Sequence, residues 1–88
     1  MLSETEKALL LSCAHKYGVK ELYIFGSALE SEQYHDIDVG VRGIPPALFF
    51  KFYGELLRKL SKPVDVTDLT KKSRFTELVE KEGVKLYG

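Results

Sequence analysis

Apolar residues recur at helical spacing early in the chain: Leu9, Leu10, Cys13 and Tyr17 fall on one side of a helix. Ser3 followed by Glu6 has the capping-box spacing that starts such a helix, and Gly18 is a natural stop. The pattern then changes. Residues 19–25 (VKELYIF) are β-branched and aromatic, predict a strand, and run straight into Gly26-Ser27. Residues 28–34 predict a short helical turn, and residues 36–41 (DIDVGV) alternate as a second strand. Pro45 and Pro46 break the chain and suit the first turn of a helix over 46–60. Its core stripe is Phe49, Phe52, Tyr53, Leu56 and Leu60. Phe50 and Leu57 widen that stripe, which reads either as a broad core face or as a partner surface. After Pro63, residues 64–69 (VDVTDL) predict a third strand. Ser73 is an N-cap for a helix over 74–82 with Phe75, Leu78 and Val79 on its apolar side. Gly83 ends it, and residues 84–87 read as a last edge strand. The order α-β-(α)-β-α-β-α-β predicts an α/β fold: a small mixed β-sheet flanked by helices, with residues 1–88 as a single domain.

Composition narrows the function classes. Lys plus Arg and Asp plus Glu are 13 each, a formal net charge of zero. A domain that grips nucleic acid by neutralising phosphates is normally basic, so direct nucleic-acid binding is not expected. One Cys and two His allow no intrachain disulfide and no zinc site built from Cys and His alone. Cys13 lies in an apolar stripe and reads as a buried structural thiol; His15 reads as a surface residue. No apolar run approaches the ~20 residues of a membrane span. The N-terminal segment lacks the basic-then-apolar form of a signal peptide, so a cytoplasmic location is expected.

Three pieces of the chain carry candidate chemistry. Gly26-Ser27 ends a strand, where a glycine admits close approach of a phosphate and the following amides and hydroxyl can cradle its oxygens. Alone, such a pair is also a common turn. Asp36-Ile37-Asp38 places two carboxylates two apart on a strand, on one face and about 6.6 Å from each other, with Ile37 turned to the core. Such carboxylates converge on a hard cation, and Mg²⁺ takes one or two of them plus substrate phosphates. Asp65, between Val64 and Val66, is an acid inside an apolar strand and costly to desolvate unless paired or metal-bound. If the third strand lies beside the second, the three aspartates share a face, and a divalent cation would resolve their repulsion. Asp68 is out of phase with Asp65 and reads as a strand-end or turn residue.

The ordered set resembles a known family. Gly26-Ser27, eight residues, Asp36-Ile37-Asp38, a helix, then Val64-Asp65-Val66 is similar to the minimal nucleotidyltransferase domain of the polymerase-beta-like superfamily. LYIFGSALESEQYHDIDVGV resembles its strand, phosphate-binding turn and metal-binding strand, and EKEGVKLYG resembles its C-terminus. The resemblance implies the nucleotidyltransferase fold and transfer of a nucleoside monophosphate from a triphosphate, ATP foremost, to a hydroxyl. Gly26 and Ser27 would match the triphosphate-binding pair, Asp36 and Asp38 two Mg²⁺ ligands, and Asp65 the third carboxylate, which holds the catalytic metal and orients or deprotonates the attacking hydroxyl. Two Mg²⁺ ions are implied. The sequence departs from many relatives at Ala28, where an Arg is common, and at Glu30; both remove positive charge near the expected phosphates. Arg42, in phase with Asp36 and Asp38, or Lys71, Lys72 and Arg74 beyond the third strand are the available cations.

Stand-alone domains of this kind resemble the antitoxin half of toxin–antitoxin pairs, which implies a helical HEPN toxin as partner and one of its tyrosines as acceptor. Two alternatives stand beside this. One is a catalytically weak module that neutralises its partner by occlusion. The other is a small-molecule transferase, less favoured because no second domain holds a substrate. A second copy of the chain could supply the missing wall of the nucleotide site.

Overall fold

A computed structural model of the protein describes residues 2–30 and 34–88. The elements run α1 (Glu4–Lys16), β1 (Glu21–Phe25), α2 (Ser27–Glu30), β2 (Ile37–Arg42), α3 (Pro46–Lys59), β3 (Val64–Asp68), α4 (Arg74–Glu82) and β4 (Val84–Tyr87). The expected α/β fold is present: a four-stranded mixed sheet in the order β3-β2-β1-β4, flanked by helices. β1 pairs antiparallel with β2 and β4, whereas β2 and β3 run parallel and are joined through α3. Among the described residues, no helix is long and apolar enough to cross a membrane.

Strand alternation sorts the side chains between two faces. Leu22, Ile24, Ile37, Val39, Val41, Val64 and Val66 pack with Leu10, Cys13 and Ala14 of α1 and Phe52 and Leu56 of α3 in the main core. Tyr23 points to the other face, where it packs with Leu69 and Val79 of α4. Fully burying one such large apolar side chain contributes about 1.5–3 kcal/mol, so the α1/α3 layer holds most of the apolar stabilisation. Among the described residues, α4 is the one helix on the opposite face, which stays partly open.

α1 and α3 are also joined by a buried carboxylate. Glu55 accepts hydrogen bonds from Lys16 Nζ at 2.8 Å, Lys59 Nζ at 2.8 Å and the Tyr17 hydroxyl at 2.7 Å, with Cys13 Sγ at 3.5 Å. A buried charge is tolerated only when partnered in this way. Lys16, Lys59 and Tyr17 hold the Glu55 carboxyl far below the usual carboxylate range. Burial and the neighbouring Glu55 push the Cys13 thiol up, which fits its expected structural role.

Element boundaries differ from the sequence reading in instructive places. β1 starts at Glu21 rather than residue 19. Gly18 ends α1 with φ +70°, and the Val19 N–H bonds back to Ala14 O at 3.0 Å, so residues 18–20 form the turn into the strand. The helical turn expected over 28–34 is α2, displaced toward the strand; residues 31–33 lie outside the described residues and Tyr34 is not helical. β2 starts one residue later than expected, leaving Asp36 just before the strand, and includes Arg42. In α4 the buried residues are Thr76 and Val79, while Phe75 and Leu78 stay about half exposed, contrary to the apolar side read for that helix. α3 buries Phe52 and Leu56 and half-buries Phe49 and Tyr53, while Phe50 is 79 % exposed and Leu57 53 % exposed.

Candidate active site

The sheet's parallel and antiparallel pairings meet at Asp38. Across the antiparallel pair it lies opposite Phe25, the last residue before Gly26. Across the parallel pair it lies beside Asp65. Directly paired residues share a face, so Asp38 and Asp65 both project to the partly open side, away from the α1/α3 core. Ile37, between the two expected ligands, is fully buried in that core as the alternation requires. The sequence left open whether β3 lies beside β2; the structure pairs them in parallel, and the Ile37 N–H to Pro63 O bond at 2.9 Å extends the pairing one residue back toward Asp36.

The electrostatics differ from the expectation in one respect. The desolvation cost expected at Asp65 falls on Asp38. β3 is an edge strand, so Asp65 is exposed, whereas Asp38 on the inner strand is half-buried. Burial first, then the charge of Asp65, then that of Asp36, push the Asp38 carboxyl above the usual aspartate value. Asp36 is exposed and precedes β2, so the strand-alternation argument places Asp38 and Asp65 but not Asp36. Its charge nevertheless registers at Asp38. Among the described residues, no three His, Cys, Asp or Glu side chains are drawn close enough to enclose a metal ion as they stand. Asp68 turns out of this group, accepting the Thr70 N–H at 2.9 Å in a tight turn, as its phase predicted.

Gly26 closes the opposite side. Its φ is +76°, a left-handed conformation that L side chains resist. A Cβ built there would run into Asp38 Oδ2. The residue thus combines two requirements for glycine: the turn itself and the approach of backbone to carboxylate. α2 follows at once, with the Leu29 N–H bonded to Gly26 O at 3.1 Å. The hydroxyl expected of Ser27 and the side chain of Glu30 lie outside the described part of the structure. Ala28 is fully buried in the main core. At this position the side chain faces inward, into the main core.

The candidate cations divide. Arg42 is partly buried and engaged: it pairs with Glu21 at 2.7 Å and with Glu80, fastening α4 to the sheet. Lys71, Lys72 and Arg74 are exposed in and after the loop from β3. Four aromatic residues at the site or on its flanking segments make contacts that the sequence pattern did not mark. Tyr53 donates its hydroxyl to Asp65 Oδ1 at 3.3 Å. Phe25 and Phe75 stack edge to face with centroids 5.6 Å apart beside Asp38. Tyr34, fully packed, donates to Glu6. The apolar period marks a tyrosine's ring and is silent about its hydroxyl, so spacing alone could not reveal these bonds.

An all-carboxylate donor set suits a hard cation such as Mg²⁺ rather than a soft one. The Asp38 carboxyl is raised by burial first and then by the like charges of Asp65 and Asp36, and the glycine turn leaves the space beside it free of a side chain. These residues fit a divalent cation with a phosphate-bearing ligand.

Residues 9–88 match the profile of the family described as "Polymerase beta, Nucleotidyltransferase". No curated protein matches the sequence. Among solved structures, the fold is similar to that of a chain in a toxin–antitoxin complex with AMP-PNP: TM-score 0.75, 21% identity, covering 93% of this chain and 73% of that one. It is similar to a chain in the complex of tri-AMPylated Shewanella oneidensis HEPN toxin with MNT antitoxin: TM-score 0.71, 21% identity, covering 94% and 70%. It is also similar to a chain in a variant MntA–HpeT toxin–antitoxin complex: TM-score 0.71, 25% identity, covering 100% and 74%.

Proposed function

The chain belongs to the polymerase beta nucleotidyltransferase family, and we propose that it transfers AMP from ATP to a tyrosine hydroxyl of a partner HEPN toxin, acting in the cytoplasm as that toxin's antitoxin. The observation that carries the reading is the pairing of Asp38 with Asp65 across β2 and β3, with Gly26 closed against the Asp38 carboxylate. The partner assignment is supported by the toxin–antitoxin complexes that share the fold, one with AMP-PNP and one with an AMPylated toxin.

In this reading Asp36, Asp38 and Asp65 would hold two Mg²⁺ ions, which would supply charge neutralisation for the triphosphate and for the attacking and leaving oxygens. The chain's own residues do the rest. The left-handed turn at Gly26 lets the backbone of Gly26 and Ser27 approach the phosphates closely. Asp65 orients the acceptor hydroxyl and takes its proton, while Tyr53 fixes one of its oxygens. A new bond forms between the acceptor oxygen and the α-phosphorus, the α–β phosphoanhydride bond breaks, and pyrophosphate leaves. Catalysis of this kind is mostly positioning and charge neutralisation. The sheet face is open on one side, so the acceptor chain or a second copy of the protein completes the wall around the nucleotide.

The occlusion reading is favoured by a separate observation. Ala28 is buried and Arg42 is engaged with two glutamates, so neither supplies a cation to a triphosphate, and α3 presents Phe50 and Leu57 outward to a partner. Cells expressing the toxin separate the two. Under catalysis, the doubly substituted Asp36→Asn, Asp38→Asn protein gives no protection although it still binds the toxin; full protection by that variant establishes occlusion instead.

A further inference from the structure

The segments that deliver the three aspartates are tied to one another at a point away from the carboxylates. Tyr34 stands two residues before Asp36, and Lys62 three before Asp65. Both reach Glu6 on α1. The Tyr34 hydroxyl donates to Glu6 Oε1, Lys62 Nζ lies 3.3 Å from Oε2, and the same Nζ sits 4.5 Å from the centre of the Tyr34 ring. Glu6 is itself immobilised: Oε1 accepts the Ser3 N–H at 2.9 Å, while the Glu6 N–H donates back to Ser3 Oγ at 3.1 Å. Glu6 is 5 % exposed and Tyr34 6 % exposed, so this knot is built into the fold. It lies just ahead of the first β2–β3 contacts, Ile37 N–H to Pro63 O and the Ile37–Val64 pair, which set the register of Asp38 against Asp65.

We propose that Tyr34, Glu6 and Lys62 are positioning residues for the metal-binding carboxylates. They fix where the segment ahead of β2 comes in relative to the segment ahead of β3, and hence the spacing of Asp36 and Asp38 against Asp65. A capping box alone needs neither tyrosine nor lysine. A core tyrosine alone needs no carboxylate shared with the other incoming strand. Sharing one carboxylate makes the two incoming segments move together. Groups in one network of this kind act as a unit, so losing one partner is felt at the others. The inference rests on the reading of Asp36, Asp38 and Asp65 as metal ligands.

The test is Mn²⁺ binding to the full chain in the presence of a non-hydrolysable ATP analogue, followed by electron paramagnetic resonance. Thermal midpoints are measured in parallel, and Cys13→Ala, which loosens α1 against α3 away from this knot, is the stability control. Tyr34→Phe removes only the hydroxyl; Lys62→Met, at a partly exposed side chain, removes the cation and keeps most of the apolar stem. Both are expected to weaken Mn²⁺ binding about tenfold, the scale for groups that orient metal ligands, while Cys13→Ala binds as wild type at a comparable midpoint. Wild-type affinity in Tyr34→Phe and Lys62→Met overturns the positioning role and leaves the aspartates as ligands. Equal weakening in Cys13→Ala also overturns it, because general loosening then accounts for the effect. Failure of the wild type itself to bind Mn²⁺ with the analogue overturns the ligand assignment, and the positioning role with it.

Discussion

Asp38 and Asp65 occupy one register position on neighbouring parallel strands, and the inner of the two carries the cost. The Asp38 carboxyl is raised by burial and by the charges of Asp65 and Asp36. A raised folded-state value means that its contribution to stability is fully present below the ordinary aspartate pKa of about 3.9, and is lost as pH rises through the raised value. At neutral pH the ionised metal-free site therefore works against the fold. Asp38→Asn is expected to hold or raise the thermal midpoint at pH 7 while reducing nucleotidyl transfer at least about a hundredfold, the scale for removing one charge-stabilising group. Differential scanning calorimetry and a transfer assay on the same preparation check both halves.

If the proposed site takes Mg²⁺, the cation is expected to reverse that pH trend. Added with ATP, it is expected to raise the thermal midpoint of the wild type more at pH 7 than near pH 4, because protonated carboxylates do not hold it. Asp38→Asn is expected to lose most of the increment at pH 7. A midpoint series against Mg²⁺ concentration at the two pH values reads this directly.

Gly26→Ala tests the turn. The left-handed φ alone costs an alanine about 1–2 kcal/mol, and its Cβ would displace the Asp38 carboxylate. Urea denaturation is expected to show the stability loss, and transfer is expected to fall further than the stability loss explains. An alanine that leaves both unchanged would show that the turn does not press on Asp38.

Much of this fold is legible in the sequence because the signals are local. The Ser3–Glu6 capping box forms as its spacing requires, Ile37 marks the buried phase of β2, and Val64-Asp65-Val66 places an acid on the open face. The misreadings come from partners distant in sequence. Asp65 is exposed because β3 is an edge strand, a property of sheet order and not of the residues around it. Arg42 has the right phase for the site but is taken by Glu21 and Glu80 from two other elements. Phe75 and Val79 are equally apolar, yet α4 buries only one, because the open sheet face offers Tyr23 and Leu69 as packing partners at one place. Glu55 is the extreme case: a glutamate in an apolar helix face becomes intelligible only once Lys16, Tyr17 and Lys59 are seen around it.

The Glu55 knot predicts an acid-dependent stability. Its folded-state pKa is depressed, so its contribution is present above the ordinary glutamate value of about 4.3 and is lost as pH falls below that. Glu55→Gln is expected to lower the urea midpoint at pH 7, and the gap from wild type is expected to narrow as pH falls from about 5 toward 3. A gap independent of pH would assign the effect to shape rather than charge.

The apolar stripe of α3 divides in two. Phe52→Ala is expected to cost about 3–5 kcal/mol as a fully buried ring. Phe50→Ser and Leu57→Ser, on the outward side, are expected to stay within about 0.5 kcal/mol. Chemical denaturation of the three variants separates core from surface.

The most direct test of the catalytic assignment is the intact mass of the proposed HEPN partner after incubation with this protein, ATP and Mg²⁺. Addition of AMP to a tyrosine by the wild type, and its absence with Asp38→Asn or Asp65→Asn, is the predicted result. An unmodified partner that is nevertheless bound and neutralised by the wild type would contradict it.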